Sequence, residues 1–163
     1  MITITKSPNA DSRSAKKELL TEEELRKSTD NHIADVYKGM DYFASLLTKA
    51  GESHDNTKKG SGSLEFFKAL TSGDVKNSDW YKGHITKERH HLISKVPDDV
   101  NLIDVLEHLT DCVMAGLSRS GEIYDIDLSS EVLQKAHKNT VELLKKNIKV
   151  EESDDILDEP IHE

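Results

Sequence analysis

The chain has 163 residues, 35% of them hydrophobic and 33% charged, with a formal net charge of -9. That length suits one domain able to bury a core, and no apolar run approaches the roughly 18 residues needed to cross a bilayer. The acidic balance argues against binding of long nucleic acid, which needs lysine and arginine to neutralise phosphates; the single cysteine, Cys112, excludes an intramolecular disulfide framework and fits a reducing, cytoplasmic setting.

Residues 1–20 lack the apolar block of a secretory signal and read as a flexible arm. In "LTEEEL", Thr21 and Glu24 form a capping box that starts a helix. A longer helix is predicted from Thr29 to Ala50, where Ile33, Val36, Tyr37, Met40, Phe43, Ala44 and Leu47 recur at three and four. Gly51 is placed to stop it. "GSGS" (Gly60 to Ser63) reads as a turn, and "LEFFKAL" as a short helix ending near Gly73. Asp74 to Pro97 reads as short helices joined by loops. From Asn101 to Ser120 a strong helix carries Leu102, Val105, Leu106, Leu109, Val113, Met114 and Leu117 on one side, and Gly121 ends it. A last helix is expected from about Ser129 to Ile148. The acidic tail, 150–163, reads as disordered. The fold class is all-α: a single compact helical domain over 21–149.

The charge is uneven. "VEESDDILDEPIHE" concentrates acid, while "KGHITKERHH" is locally basic and leaves room for a small phosphorylated ligand. Eight histidines occupy positions 32, 54, 84, 90, 91, 108, 137 and 162. Imidazole and carboxylate together suit Mn, Fe, Co, Ni or Zn better than Ca. His32 on one helix, His54 and Asp55 after the next turn, and Asp111 on the long downstream helix could converge on one ion. Asp55 has two oxygens and could bridge to a second ion completed by His84 and by His90 or His91. Adjacent helical residues diverge by about 100°, so one of that pair is expected to face the ion, with His91 favoured. Two ions about 3.5–4 Å apart are a common device for hydrolysing phosphate esters. Asp111 sits among Leu109, Val113 and Met114, where an acid needs a partner.

The pattern His32, His54-Asp55, Asp111 resembles the HD-domain superfamily of metal-dependent phosphohydrolases. "HDNTK" is similar to that superfamily's His-Asp-x-x-Lys signature, with Lys58 in the lysine position. "GHITKERHH" resembles the additional histidines of members that hold two metals. The segment from Arg89 to Gly121 is similar to HD-like proteins common in bacteriophage genomes. The resemblance covers roughly residues 30 to 120. It departs in having Asn56 and Thr57 between Asp55 and Lys58, and no Gly-Tyr-Pro follows His91, so the cyclic-di-GMP phosphodiesterase branch is unsupported.

The resemblance implies an HD-type fold and a hydrolase that uses one or two divalent transition metal ions to attack a nucleotide or related small phosphate ester, in a host cytoplasm if phage-encoded. Asp55 and Lys58 would be catalytic, and Lys58, Arg89 and Arg119 would grip the phosphate. Each of these cations could equally be a surface ion pair, and Arg119 could simply complement its helix dipole. Glu88 and Glu107 are candidates to support the metal ligands. Trp80 and Tyr81 could stack on a base or fill the core. Cys112, beside an acid, is not expected to be a nucleophile. The rival readings are an HD-like nuclease or cyclic-nucleotide phosphodiesterase, a two-iron oxygenase, and a non-catalytic metal-containing ligand-binding module. Homo-oligomerisation stays open.

Overall fold

The computed structural model describes residues 1–7, 10, 11, 13, 21–123 and 126–152. The architecture is mostly helical, with the order β1 (Ile2–Lys6), α1 (Glu22–Ser53), α2 (Ser63–Thr71), α3 (Asp79–Lys87), α4 (Leu102–Ser120), α5 (Ser130–Lys146) and β2 (Ile148–Glu152). Single 3-10 turns occupy Asn56–Lys58, Gly60–Gly62 and Val75–Asn77. Among the described residues no helix is long and apolar enough to cross a membrane.

The residues group into two compact units. Met1–Phe43 and the chain from Leu144 onward form the first; Ala44–Leu143 forms the second.

The mostly helical architecture is compatible with the all-α expectation, and the first unit adds one small two-stranded sheet to it. β1 and β2 pair in parallel, Ile2 opposite Ile148 and Ile4 opposite Val150. The strict alternation "ITIT" is a strand signal, and here it lies in the stretch read as a flexible arm. The pairing sets apolar side chains side by side, and they line a groove of about 550 Å3 with Val36, Met40 and Phe43 of α1. Residues 14–20 and 153–163, the rest of the predicted arm and tail, lie outside the described residues.

α1 is longer than predicted at both ends. The capping box at its start is present: Glu24 accepts from the Thr21 backbone N–H at 2.8 Å, and Thr21 Oγ1 accepts from the Glu24 N–H at 3.2 Å. The helix then continues through Lys27, Ser28 and Thr29, where no glycine or proline interrupts it. Gly51 does not stop it, because the residue that leaves helical geometry is Asp55, at φ 55°.

In the second unit Leu92, Val100 and Ala136 form a small core with Val96, Leu102, Val105 and Leu128 packed against it. Asn101 caps α4 in a capping box with Asp104, and Gly121 ends it at φ 75°. α5 is fastened across it: the Leu102 N–H donates to Thr140 Oγ1 at 2.8 Å, and Asn139 Nδ2 donates to the Val100 carbonyl at 2.8 Å. The face that α4 buries is not the predicted leucine stripe. Ile103, Asp104, His108 and Gly116 are buried, while Leu106, Leu109, Met114 and Leu117 are exposed. The polar side turns inward because its groups find partners there, Asp104 with Arg89 and His108 with the His90 carbonyl.

Candidate metal centre

The centre is assembled within the second unit from the end of α1, from α3 and the turn after it, and from α4. α1 finishes at Ser53, and the chain turns on Asp55, the one non-glycine residue with positive φ among those described. Aspartate tolerates this left-handed conformation better than most residues. Its Oδ2 accepts from Lys58 Nζ at 2.5 Å, and its carbonyl accepts from the Lys58 N–H at 2.8 Å. The turn is braced by Gly62: a Cβ there would stand 2.3 Å from the Thr57 carbonyl oxygen.

α3 starts on Ser78, whose hydroxyl accepts from the Tyr81 N–H, and carries His84 on its buried side. It stops at Lys87 because Glu88 is extended. The Glu88 carboxylate accepts the Thr57 N–H at 2.8 Å, tying this stop to the Asp55 turn. His90 and His91 therefore lie in a turn and not on a helix. The expectation that one of them must diverge is corrected: their ring centroids are 4.4 Å apart, and both face the cluster.

Two ligand-competent groups share Asp55. His54, Asp55 and His90 form one; Asp55, His84 and His91 form the other. In the first, Asp55 Oδ2 lies 3.6 Å from His54 Nε2, and Asp55 Oδ1 lies 3.8 Å from His90 Nε2. In the second, Asp55 Oδ1 is 3.6 Å from His84 Nε2, which is 2.7 Å from His91 Nε2. Asp111 Oδ1 stands 3.5 Å from His54 Nε2, at the edge of the first group. Glu107, one turn earlier on the same face of α4, places Oε1 2.9 Å from His54 Nδ1 and 3.0 Å from His90 Nδ1. The first is a directed hydrogen bond. The second has the distance of an ion pair but lies off the ring N–H direction, so His90 Nδ1 has no directed partner.

A divalent ion fits these residues. His90 is 1% exposed, and both its ring nitrogens and Asp55 Oδ1 are buried without a directed hydrogen bond. Orphaned buried polar atoms are costly and rare, and here they belong to the residue types that hold Mn, Fe, Co, Ni or Zn. The electrostatics agree. Burial pushes the Asp55 carboxyl up, but the Lys58 ammonium with His54 and His84 outweighs it and holds the group below its ordinary value. Burial likewise raises Glu107, and His90 and His54 bring it down. Burial, then the charge of Lys58, lowers His84. Burial, with His90 and His84 alongside, lowers His91 to about 4, which keeps it neutral as a ligand must be. His90 is the exception: burial disfavours its charge, but the Glu107 carboxylate more than compensates and raises it.

Other candidate residues fall elsewhere. His32 belongs to the first unit, where its Nδ1 is 3.6 Å from Asp11 Oδ2. α1 runs unbroken from Glu22 to Ser53, and His54 follows it. The turn expected before Asp55 is present a few residues later than predicted, and among the described residues His32 is in neither ligand-competent group. Arg89 is not available for a phosphate: Nε and Nη2 hold the buried Asp104 carboxylate at 2.7 and 2.8 Å, and Nη1 holds Asp99 at 2.9 Å. Arg119 is exposed, eight residues and about 12 Å beyond Asp111 along α4. His108 is structural, bound to the His90 carbonyl. His137 is exposed, and His162 lies outside the described residues. Trp80 stacks on His84, with centroids 4.7 Å apart and planes 15° apart, and also meets Phe66 in a tilted contact at 4.6 Å.

Glu107 is a sequence candidate to support the ligands, and its contacts with two histidines give that role its geometry. One supporting contact was not legible in advance. Thr57, whose Oγ1 is 2.5 Å from His84 Nδ1, had no signal in the sequence. A groove of about 370 Å3 opens beside the first group, walled by Leu47, Ala50, Leu106 and Met114 and closed by His54, Glu107 and Asp111. No family model matches the chain, and no curated protein or solved structure is similar to it.

Proposed function

We propose that the protein is a metal-dependent phosphohydrolase acting on a nucleotide or a related small phosphate ester. One observation carries the metal part of this reading: fully buried, unpartnered imidazole and carboxylate atoms of His90 and Asp55 at the meeting point of four histidines. A divalent ion held there supplies Lewis acidity and activates water at neutral pH. The resemblance of His54-Asp55 and Lys58 to the HD signature supports phosphate as the target.

The chain's own residues would divide the work. Asp55, common to both groups, orients the centre. Asp111, which lines the groove beside His54, would accept the proton of the attacking water. Lys58, relieved of Asp55 when that carboxylate has another cation, offsets the charge on the phosphate. The apolar walls hold the organic part of the ester and keep bulk water from it. Arg89 has no part in this scheme, since its fork is committed to Asp99 and Asp104.

Asp55→Asn keeps the side-chain shape and suits the left-handed turn, so the fold should survive while bound metal and hydrolysis are both lost. Lys58→Ala should keep the metal and lose about ten- to a hundredfold in rate or affinity, the worth of a charge-assisted contact. Metal content and turnover of nucleoside mono-, di- and triphosphates, measured for both variants, test this. A second reading is a metal-containing binding module. It is favoured by the apolar groove walls and by the absence of Arg89 and Arg119 from the cluster. It takes over if the loaded wild type cleaves no phosphate ester with any of the five metals.

A further inference from the structure

We infer that Glu107 is a positioning residue that makes the two ligand groups unequal: a divalent cation loads first and most tightly at His54, Asp55 and His90, and a second loads more weakly at Asp55, His84 and His91. This rests on the metal reading above but not on the reaction. In the first group one carboxylate oxygen lies against two imidazoles, 2.9 Å from His54 Nδ1 and 3.0 Å from His90 Nδ1. At His54 the directed hydrogen bond places the proton on Nδ1, and at His90 the nearby carboxylate favours the same tautomer by its charge alone. It leaves both Nε2 lone pairs bare on the side of Asp55. A carboxylate behind a ligating histidine also raises its basicity and fixes its orientation.

The spacing is right as well. Ligands around a tetrahedral ion with bonds of about 2 Å stand about 3.3 Å apart. The first group's contacts, Asp55 Oδ2 to His54 Nε2 at 3.6 Å and Asp55 Oδ1 to His90 Nε2 at 3.8 Å, need only a small contraction around an ion held by both carboxylate oxygens. In the second group His84 Nε2 and His91 Nε2 are 2.7 Å apart, too close to flank one ion, so this group must open before it can bind. Its support is also weaker. His84 Nδ1 meets the neutral Thr57 hydroxyl, which can donate or accept and so does not select a tautomer. Finally, both groups draw on Asp55, so the cation that arrives first repels the second.

The experiment is calorimetric titration of the metal-free, full-length protein with Zn2+ or Co2+, with a competing chelator to resolve tight binding. The wild type should show two classes of about one ion each. Glu107→Gln should weaken the tight class about 10- to 100-fold and leave the weak class within about twofold. Thr57→Val should do the reverse. In the Co2+ form, the visible absorption of the first ion should change in Glu107→Gln and not in Thr57→Val. The inference is overturned by a single class in the wild type, by equal weakening of both classes in Glu107→Gln, or by an effect of Thr57→Val on the tight class. Intact two-class binding without any phosphate-ester cleavage would sink the phosphohydrolase reading alone. A tight class that survives Glu107→Gln would sink this inference alone.

Discussion

At the scale of single residues, the centre is governed by which imidazoles are allowed to carry charge. His84 is lowered by burial and Lys58, and His91 by burial and its neighbouring histidines, to about 4. In the unfolded chain both return to the ordinary value of 6.5. Between these values the unfolded chain binds more protons than the folded one, so stability is lost as pH falls. Asp55 and Glu107, both held low, add to the loss at more acidic pH. His90 opposes it, because its raised value gives stability that is present below 6.5 and fades as pH rises through the folded value. The metal-free protein should therefore melt at progressively lower temperature as pH drops from 6.5 towards 4. His91→Gln should flatten that slope. Thermal melts across the window, with and without the substitution, check it; a slope unchanged in the variant would remove His91 as the cause.

At the scale of elements, the turn between α3 and α4 is the part most dependent on tertiary contacts. It holds His90 and His91, yet it has no regular structure of its own. Arg89 anchors it by bridging Asp99 and Asp104. Asp104 is 4% exposed and would be left with only the Asn101 N–H as partner if the guanidinium were removed. Arg89→Ala should cost about 2–3 kcal/mol, less than a fully buried pair because the arginine is partly open to water. Arg89→Lys should recover little, since an ammonium cannot reproduce the two-pronged contact. If Arg89 acted on substrate instead, the loss would appear in KM with the melting temperature unchanged. Denaturant unfolding of the three proteins separates these outcomes.

At the scale of the whole molecule, both ligand-competent groups found among the described residues belong to the Ala44–Leu143 unit, while β1 and β2 belong to the other. Deleting Met1–Lys6 removes the strand that pairs with β2 and the side chain of Ile2, which is 8% exposed. Burying a side chain of that size is worth about 1.5–3 kcal/mol. The truncated protein should melt at lower temperature and still bind the same amount of metal. Loss of metal binding in proportion to the stability lost would show that the centre depends on the sheet.

What the sequence determined by itself was set by local chemistry. The capping box at Thr21, the glycine stop at 121 and the three-and-four spacing placed most helices, because each of these acts within a turn or two of chain. The concentration of imidazole and carboxylate between His54 and Asp111 was also visible, as was the pairing of His54 with Asp55. Tertiary structure decided the rest. It carried α1 past Gly51 to Ser53, so the chain leaves helical geometry only at the His54-Asp55 turn. It took His90 and His91 out of helical geometry, so both rings converge where helical spacing would have separated them. It turned the polar side of α4 inward, giving Glu107 two histidines and Arg89 two aspartates. None of these follows from residue type, because a charged side chain settles its partner only when distant segments are brought within about 3 Å of it.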